Sequence, residues 1–359
     1  MDTKLLLKLK NIYSSLPGFL QKPVSDIMYQ YDIKAALEQF LSEEERNNTR
    51  LRRAIIKDIK HCRKIYNTKA VEYFLFGFRN LTHELRNEFL PDMVKDEVLK
   101  RVVGLEVMNR EMKDKYNFYK MLCQYFKREA MLIPIGGGNK DDFEEFAQRH
   151  NDLFIKCNVL SKGRGAGLYH VETDQEINAL YDKLVRSSIE WIVEEKIRQL
   201  PEMSQWNESS VNTVRLPAVL NNDVFTVIGP FFRTGRKGSA VDNAGQGGVF
   251  ACVDPASGIL TTDGIDEKKV YYERHPDSGL VYKGWQIPCW QELLSLAEEI
   301  HRKIPHHKYV GWDFALTERG WVLIEGNWGQ FVSQYNDHIG LKKQFFELLG
   351  IEDDSLTKQ

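Results

Sequence analysis

Lys308-Tyr309-Val310-Gly311-Trp312-Asp313-Phe314-Ala315-Leu316 and, shortly after, Trp321-Val322-Leu323-Ile324-Glu325-Gly326-Asn327 decide the reading of this chain. Both runs are rich in apolar, β-branched and aromatic residues, as strands require. Glu318-Arg319-Gly320 between them suits a three-residue hairpin loop with Gly320 in the left-handed conformation. That register sets Asp313 opposite Glu325. Alternation then predicts Trp312, Phe314, Leu316, Val322 and Ile324 on one apolar face, and Asp313, Ala315, Leu323, Glu325 and Asn327 on the other. Two carboxylates and an amide oxygen converge. Oxygen-only donors suit Mg²⁺, which takes one or two carboxylates and completes its shell with phosphate and water. A solvent-facing strand carrying a few polar residues would explain any one of the three. It explains less well why the apolar run Val322-Leu323-Ile324 ends directly in Glu325-Gly326-Asn327.

Working outward, the 359 residues are 42% hydrophobic and 28% charged, a globular composition with enough apolar mass for two or three folding units. Lysine and arginine (49) nearly balance aspartate and glutamate (51), so the net charge of −2 gives no argument for a nucleic-acid partner. Cys62, Cys123, Cys157, Cys252 and Cys289 are scattered, odd in number and without CxxC or zinc-finger spacing, which predicts reduced thiols in an intracellular protein. No apolar run approaches the roughly 20 residues a bilayer span needs. Lysines interrupt Leu5-Leu6-Leu7-Lys8-Leu9-Lys10 too early for a secretory signal, so a cytoplasmic setting is expected.

Residues 1–128 read as a helical N-terminal region, with apolar positions at three- and four-residue spacing and an aromatic cluster at Tyr73-Phe74-Leu75-Phe76-Gly77-Phe78. The texture changes at Met131-Leu132-Ile133-Pro134-Ile135-Gly136-Gly137-Gly138, a strand ending in a loop. Strands are predicted over 153–159, 168–171, 191–197, 213–219 and 224–232, the last two joined by Asn221-Asn222-Asp223, and helices over 141–150, 174–188, 290–303 and 341–349. The adjacent His306-His307 pair reads as a solvated turn.

The hairpin has ordered company. Asn212-Thr213-Val214-Arg215, Phe232-Arg233-Thr234-Gly235-Arg236, Val241-Asp242-Asn243 and Gly247-Gly248-Val249 precede it in that order, and Glu72-Tyr73-Phe74-Leu75-Phe76 stands far upstream. Together these resemble the ATP-grasp enzymes, in the branch associated with sugar transfer and surface-polysaccharide synthesis, over roughly residues 70–335. The resemblance implies an α+β fold of two lobes clasping ATP behind the helical region. A small lobe and hinge would occupy 129–200, a large lobe with the metal site 201–350, and a tail 351–359. It implies ATP and Mg²⁺ as cofactors, with Asp313, Glu325 and Asn327 as metal ligands. Lys156 becomes the strand lysine that contacts phosphates, where alone it would read as an edge-strand lysine. Lys115 becomes an earlier phosphate lysine, or equally a helix-surface residue. Lys162, Gly163, Gly165 and Gly167 lie in a glycine-rich loop over the phosphates, which lacks the spacing of a P-loop or a dinucleotide fingerprint. Glu194, Glu195, Lys196 and Ile197 form the adenine hinge, Glu194 accepting from the adenine amine or bracing the strand. Glu202 is the candidate ribose contact, out of its usual place.

Enzymes of this kind phosphorylate a carboxylate and let an amine attack the acyl phosphate. The resemblance therefore implies small-molecule carboxylate and amine substrates, with a sugar acid or glycan precursor among the candidates. Arg233 is expected at the transferred phosphoryl, Arg215 at the substrate carboxylate and Arg236 beside them, since arginine forks match such oxygens; surface ion pairs are the plain alternative. Asn212, Asn243, Gly247 and Gly248 would shape the acceptor pocket. A kinase acting on a sugar or alcohol shares every ATP-site residue, and a non-catalytic nucleotide-binding module of a glycan-assembly complex remains a third reading. The oligomeric state is open.

Overall fold

Alternating side chains build two antiparallel sheets, and the computed structural model of the chain describes them within residues 18–104, 107, 111–159, 166–239, 242, 247–329 and 331–352. The first sheet contains β1 (Ala130–Ile133), β2 (Asp152–Cys157), β3 (Gly167–His170) and β4 (Trp191–Glu195) in the order β1-β4-β2-β3. Helices Lys140–Arg149 and Asp174–Arg186 cover one face. Asn139 caps the first; Thr173 and Glu176 form a capping box at the second, satisfying backbone donors the helix cannot. Phe143, Phe146, Ile177, Leu180 and Leu184 pack on Leu153, Ile155 and Val193. By alternation Phe154, Lys156, Ile192 and Glu194 point to the opposite face.

The larger sheet contains β5 (Thr213–Asn221), β6 (Val224–Val227), β7 (Phe231–Thr234), β8 (Val249–Cys252), β9 (Gly264–Ile265), β10 (Tyr271–Tyr272), β11 (Tyr309–Thr317) and β12 (Gly320–Asn327). Its order is β10-β9-β8-β7-β5-β11-β12, with β6 also paired to β5. The single strand predicted over 224–232 is broken at 228–230, so β6 and β7 meet β5 separately; Pro230 cannot donate to a ladder. Val214, Leu216 and Ala218 of β5, Phe232 of β7, Val249 and Ala251 of β8, and Trp312, Phe314 and Leu316 of β11 share the core face with helix Trp290–His301 and helix Lys115–Phe126. The other face of the same strands carries Thr213, Arg215, Arg233 and Asp313.

The hairpin departs from its predicted form in one respect. Thr317 pairs with Gly320, so the loop is two residues, and Gly320 takes φ +77°. A bulge then restores the expected pairing: Phe314 faces Leu323 but Asp313 faces Glu325, and Ile324 is the extra residue. Asp313 and Glu325 therefore meet as predicted, whereas Leu323 joins the core face and Val322 lies opposite Ala315.

The described residues up to Lys95, with 338–342, form one compact unit, and the described residues from Asp96 to Asp337 belong to a second. In the first unit Asp58 holds Arg86 through two bonds of 2.9 Å and accepts from Tyr73 at 2.8 Å, over a ring cluster of Phe76, Phe78 and Phe89. In the second, Gly326 lets Phe118 approach β12: a Cβ there would lie 2.7 Å from the Phe118 ring and 3.2 Å from Trp312. Both rings are buried and cannot yield easily. Gly326→Ala should cost about 1–3 kcal/mol by overpacking, read as a lower urea midpoint at unchanged slope.

Candidate functional site

Antiparallel register gathers the polar residues into a row. Arg215 on β5 is directly opposite Asp313 on β11, which is directly opposite Glu325 on β12. Asp313 is 1% exposed. Arg215 grips it with both arms of its guanidinium, Nε to Oδ1 and, at 2.7 Å, Nη2 to Oδ2. Arg233 adds its Nη2 at 2.8 Å to Oδ1. Burial would raise the Asp313 pKa, but Arg215 and then Arg233 outweigh it and hold the carboxyl below its ordinary range. Two residues past Glu325, Asn327 closes the group: its Nδ2 lies 3.2 Å from Glu325 and 3.5 Å from Asp313, while its Oδ1 accepts from Arg215 at 2.9 Å and from Gly329 N–H at 2.7 Å. A Cβ at Gly329 would sit 2.0 Å from Arg215 Nη1, so only glycine fits over the fork.

Asp313, Glu325 and Asn327 are thus within contact of one another, and their hard donor chemistry fits a magnesium ion. Guanidinium and amide N–H groups meet their charge.

Arg233 also donates to Thr213 Oγ1 at 2.6 and 2.9 Å, and Thr213 passes its own hydrogen to Asp242. Burial pushes the Asp242 carboxyl above its usual range, against the pull of Arg233. Thr213 and Asp242 were quoted in the motifs without a role; their contact with Arg233 is a tertiary fact that spacing could not supply.

The small sheet contributes a second buried charge cluster. Lys156 Nζ is 2.8 Å from Glu194 Oε1, and Arg128 lies 3.2 Å from Oε2. Glu194 is 3% exposed, and although burial opposes ionisation, Arg128 and Lys156 hold its pKa low. Its carboxylate therefore braces the strand instead of standing free for a ligand. Arg128 also donates to Leu323 O at 2.8 Å, tying the small sheet to the hairpin. Arg128 was missed because a lone arginine before a strand carries no signal. Lys115 stands close enough to feel both sheets. Burial lowers its pKa, Glu325 pulls it up and Lys156 pushes it down, while its Nζ donates to Asn158 O at 3.3 Å.

At the hinge β4 ends at Glu195, two residues sooner than predicted. Glu195 receives Arg319 at 2.9 Å, and Lys196 N–H donates to Asp152 O at 3.2 Å. Glu202 is exposed on the short helix Pro201–Ser204. Asn212 is fully buried, its Oδ1 accepting from Gly235 N–H and its Nδ2 donating to the Met203 and Asn207 carbonyls. Both ends of its amide are engaged by backbone groups, which ties together the chain around β5. Arg236 pairs with Asp277 at 3.1 Å, apart from the Asp313 group. Gly167 opens β3 opposite Ile155; Gly247 adopts φ +88° and Gly248 leads into β8. Lys162, Gly163, Gly165 and Asn243 lie outside the described residues.

A family model described as "Sugar-transfer associated ATP-grasp" matches residues 112–344. Among solved structures, D-alanyl-alanine synthetase A from Vibrio cholerae is similar at 12% identity and TM-score 0.41, over 68% of this chain and 64% of that one. D-alanine–D-alanine ligase from Bacillus anthracis is similar at 9% identity and TM-score 0.41, over 70% of each chain. N5-carboxyaminoimidazole synthetase from Staphylococcus aureus, complexed with ADP, is similar at 11% identity and TM-score 0.37, over 61% of this chain and 45% of that one. The chain thus spans less than two thirds of the first of these proteins. No curated protein matches it.

Removing one guanidinium from a buried pair leaves an uncompensated charge. Arg215→Met should destabilise the protein by about 3–5 kcal/mol, toward the lower end because Arg233 still reaches Asp313. Arg236→Met, at a partly exposed pair, should cost under about 1 kcal/mol. Urea denaturation of the two variants side by side measures the contrast.

Proposed function

Because the chain belongs to the sugar-transfer-associated ATP-grasp family, we propose that it is an ATP- and Mg²⁺-dependent carboxylate–amine ligase. It forms an amide through an acyl phosphate, and we assign it to joining an amino acid to a sugar acid or surface-polysaccharide precursor in the cytoplasm. The observation that carries this reading is the row Arg215–Asp313–Glu325, its first two members buried, closed by Asn327 and flanked by Arg233.

The roles follow from charge and reach. Asp313, Glu325 and Asn327 would hold magnesium, which when bound neutralises charge on the phosphate oxygens. Lys156 and Lys115 supply ammonium groups for the α- and β-phosphates. Lys156 is held in place by Glu194, and Glu194 by Arg128, so the ammonium is positioned before ATP arrives. Glu195, Lys196 and Ile197 offer the adenine backbone groups at a strand end, and no described group accepts from the Ile197 N–H. Glu202 is the residue assigned to the ribose. Lys162, Gly163, Gly165 and Gly167 are assigned to the phosphates.

Arg233 and Arg215 orient the substrate carboxylate for attack on the γ-phosphoryl and stabilise the charge that develops there. Both guanidiniums pair with Asp313, which sets the fork in a geometry that also fits a substrate carboxylate. The carboxylate oxygen bonds to phosphorus as the bond to ADP breaks. The amine nitrogen then bonds to the acyl carbon, phosphate leaves with the electron pair of the C–O bond, and the amine proton passes to solvent or phosphate. Gly247 and Gly248, with Asn243 and Arg236, are assigned to the acceptor end.

ADP release should require carboxylate and amine together, and hydroxylamine should trap the intermediate as a hydroxamate. A phosphorylated product stable to hydroxylamine would instead identify a sugar or alcohol kinase. Glu325→Gln should abolish turnover while leaving the thermal unfolding curve nearly unchanged; unimpaired turnover would remove the hairpin from the chemistry.

A further inference from the structure

Past the end of helix Trp290–His301 the chain turns toward β11, and there three side chains meet that the reading above does not use. His306 Nε2 is 2.5 Å and His307 Nε2 is 3.0 Å from the same atom, Glu111 Oε2. One donor atom from each of the three lies within 4.8 Å of the others. His307 was expected in a solvated turn, yet its side chain is wholly buried and its Nδ1 has no partner. Its polar engagement is therefore directed through Nε2 at Glu111. The backbone holds it there: His307 N–H donates to Ile304 O at 3.0 Å, and His307 O accepts from His301 Nε2 at 2.7 Å. His301 is fixed in turn by Trp312, whose Nε1–H donates to its Nδ1 at 3.3 Å. The site is thus built into the hairpin's own packing.

We propose that Glu111, His306 and His307 bind a transition-metal ion, with Zn²⁺ the ion their chemistry suits best. Two imidazoles and one carboxylate form a borderline donor set, unlike the oxygen-only set at Asp313, and three protein ligands leave a fourth position open. Tetrahedral bonds of roughly 2.0–2.1 Å put donor atoms ~3.3 Å apart. The present separations of 2.5 and 3.0 Å need to open by less than about 1 Å. His306, about half exposed, has room to move. Glu111 also lines an open cavity of about 510 Å³ with Asn117, Lys120 and Met121, which gives the ion an approach and room for water at the fourth position. Two histidines sharing a carboxylate by hydrogen bonds alone is the simpler arrangement. What exceeds it is the convergence of both rings on one oxygen while the second nitrogen of the buried ring goes unpaired.

The bound ion would rivet the Glu111 segment to the turn that feeds β11. It acts independently of the ligase assignment, and its test is separate. Chelator-stripped full-length protein is titrated with Co²⁺ in excess Mg²⁺, which occupies the oxygen-only set. A visible d–d band of four-coordinate intensity should saturate at one equivalent and bleach on adding Zn²⁺. Glu111→Gln and the exposed-site variant His306→Gln should each weaken the titration by at least about 10–100-fold, while Glu325→Gln leaves it unchanged. Circular dichroism confirms that the variants fold. No saturable band, a band of octahedral intensity, or an unchanged titration in His306→Gln overturns the proposal.

Discussion

The Asp313 carboxylate, buried between two guanidiniums, is the interaction on which the larger sheet is organised. A carboxylate this deep carries a desolvation penalty of several kcal/mol unless cations and hydrogen bonds meet it. The strand order answers that need. Placing β5 beside β11 sets Arg215 against it, and placing β7 beside β5 brings Arg233 within reach. The glycines follow from the same point. Gly329 must lack a Cβ because Arg215 lies against it, and Gly311 sits where a Cβ would press on Asn327 and Arg215. Glu194, between Arg128 and Lys156, repeats the design in the small sheet, and the Arg128 bond to Leu323 O couples the two clusters.

This arrangement has a functional consequence. Charges that bind phosphate in water are screened and mobile, whereas cations held on a sheet by buried ion pairs need only a small turn to meet a new oxyanion. Under the proposed function, the protein holds those cations with its own anions, Asp313 and Glu194, before phosphate binds. On that reading, an incoming phosphate or carboxylate would exchange one oxyanion partner for another, and the guanidinium geometry would serve both.

Much of this was legible in the sequence where a local rule applied. The hairpin and the meeting of Asp313 with Glu325 followed from strand period and the Gly320 turn, and the series Arg215, Arg233, Asp242 marked the family. The details failed where a non-local event intervened. A tighter turn and a bulge at Ile324 compensated in register, so the carboxylates met as expected while Val322 and Leu323 exchanged faces. Asn212 looked like a substrate contact because it is polar beside Arg215; its amide is consumed by backbone groups 5 to 23 residues away in sequence. Arg128 and the Glu111–His306–His307 group were invisible because their partners lie 66 and about 195 residues distant. No pattern of period two or 3.6 reports such pairs.

The most direct test is a crystal structure with Mg²⁺ and a non-hydrolysable ATP analogue. The account predicts metal–oxygen distances of about 2.0–2.1 Å to at least two of Asp313, Glu325 and Asn327, with the phosphates beside Lys115 and Lys156 and one or both arginines turned from Asp313 toward phosphate. Nucleotide bound elsewhere, or a metal held by other residues while Arg215 and Arg233 keep their grip on Asp313, would contradict it.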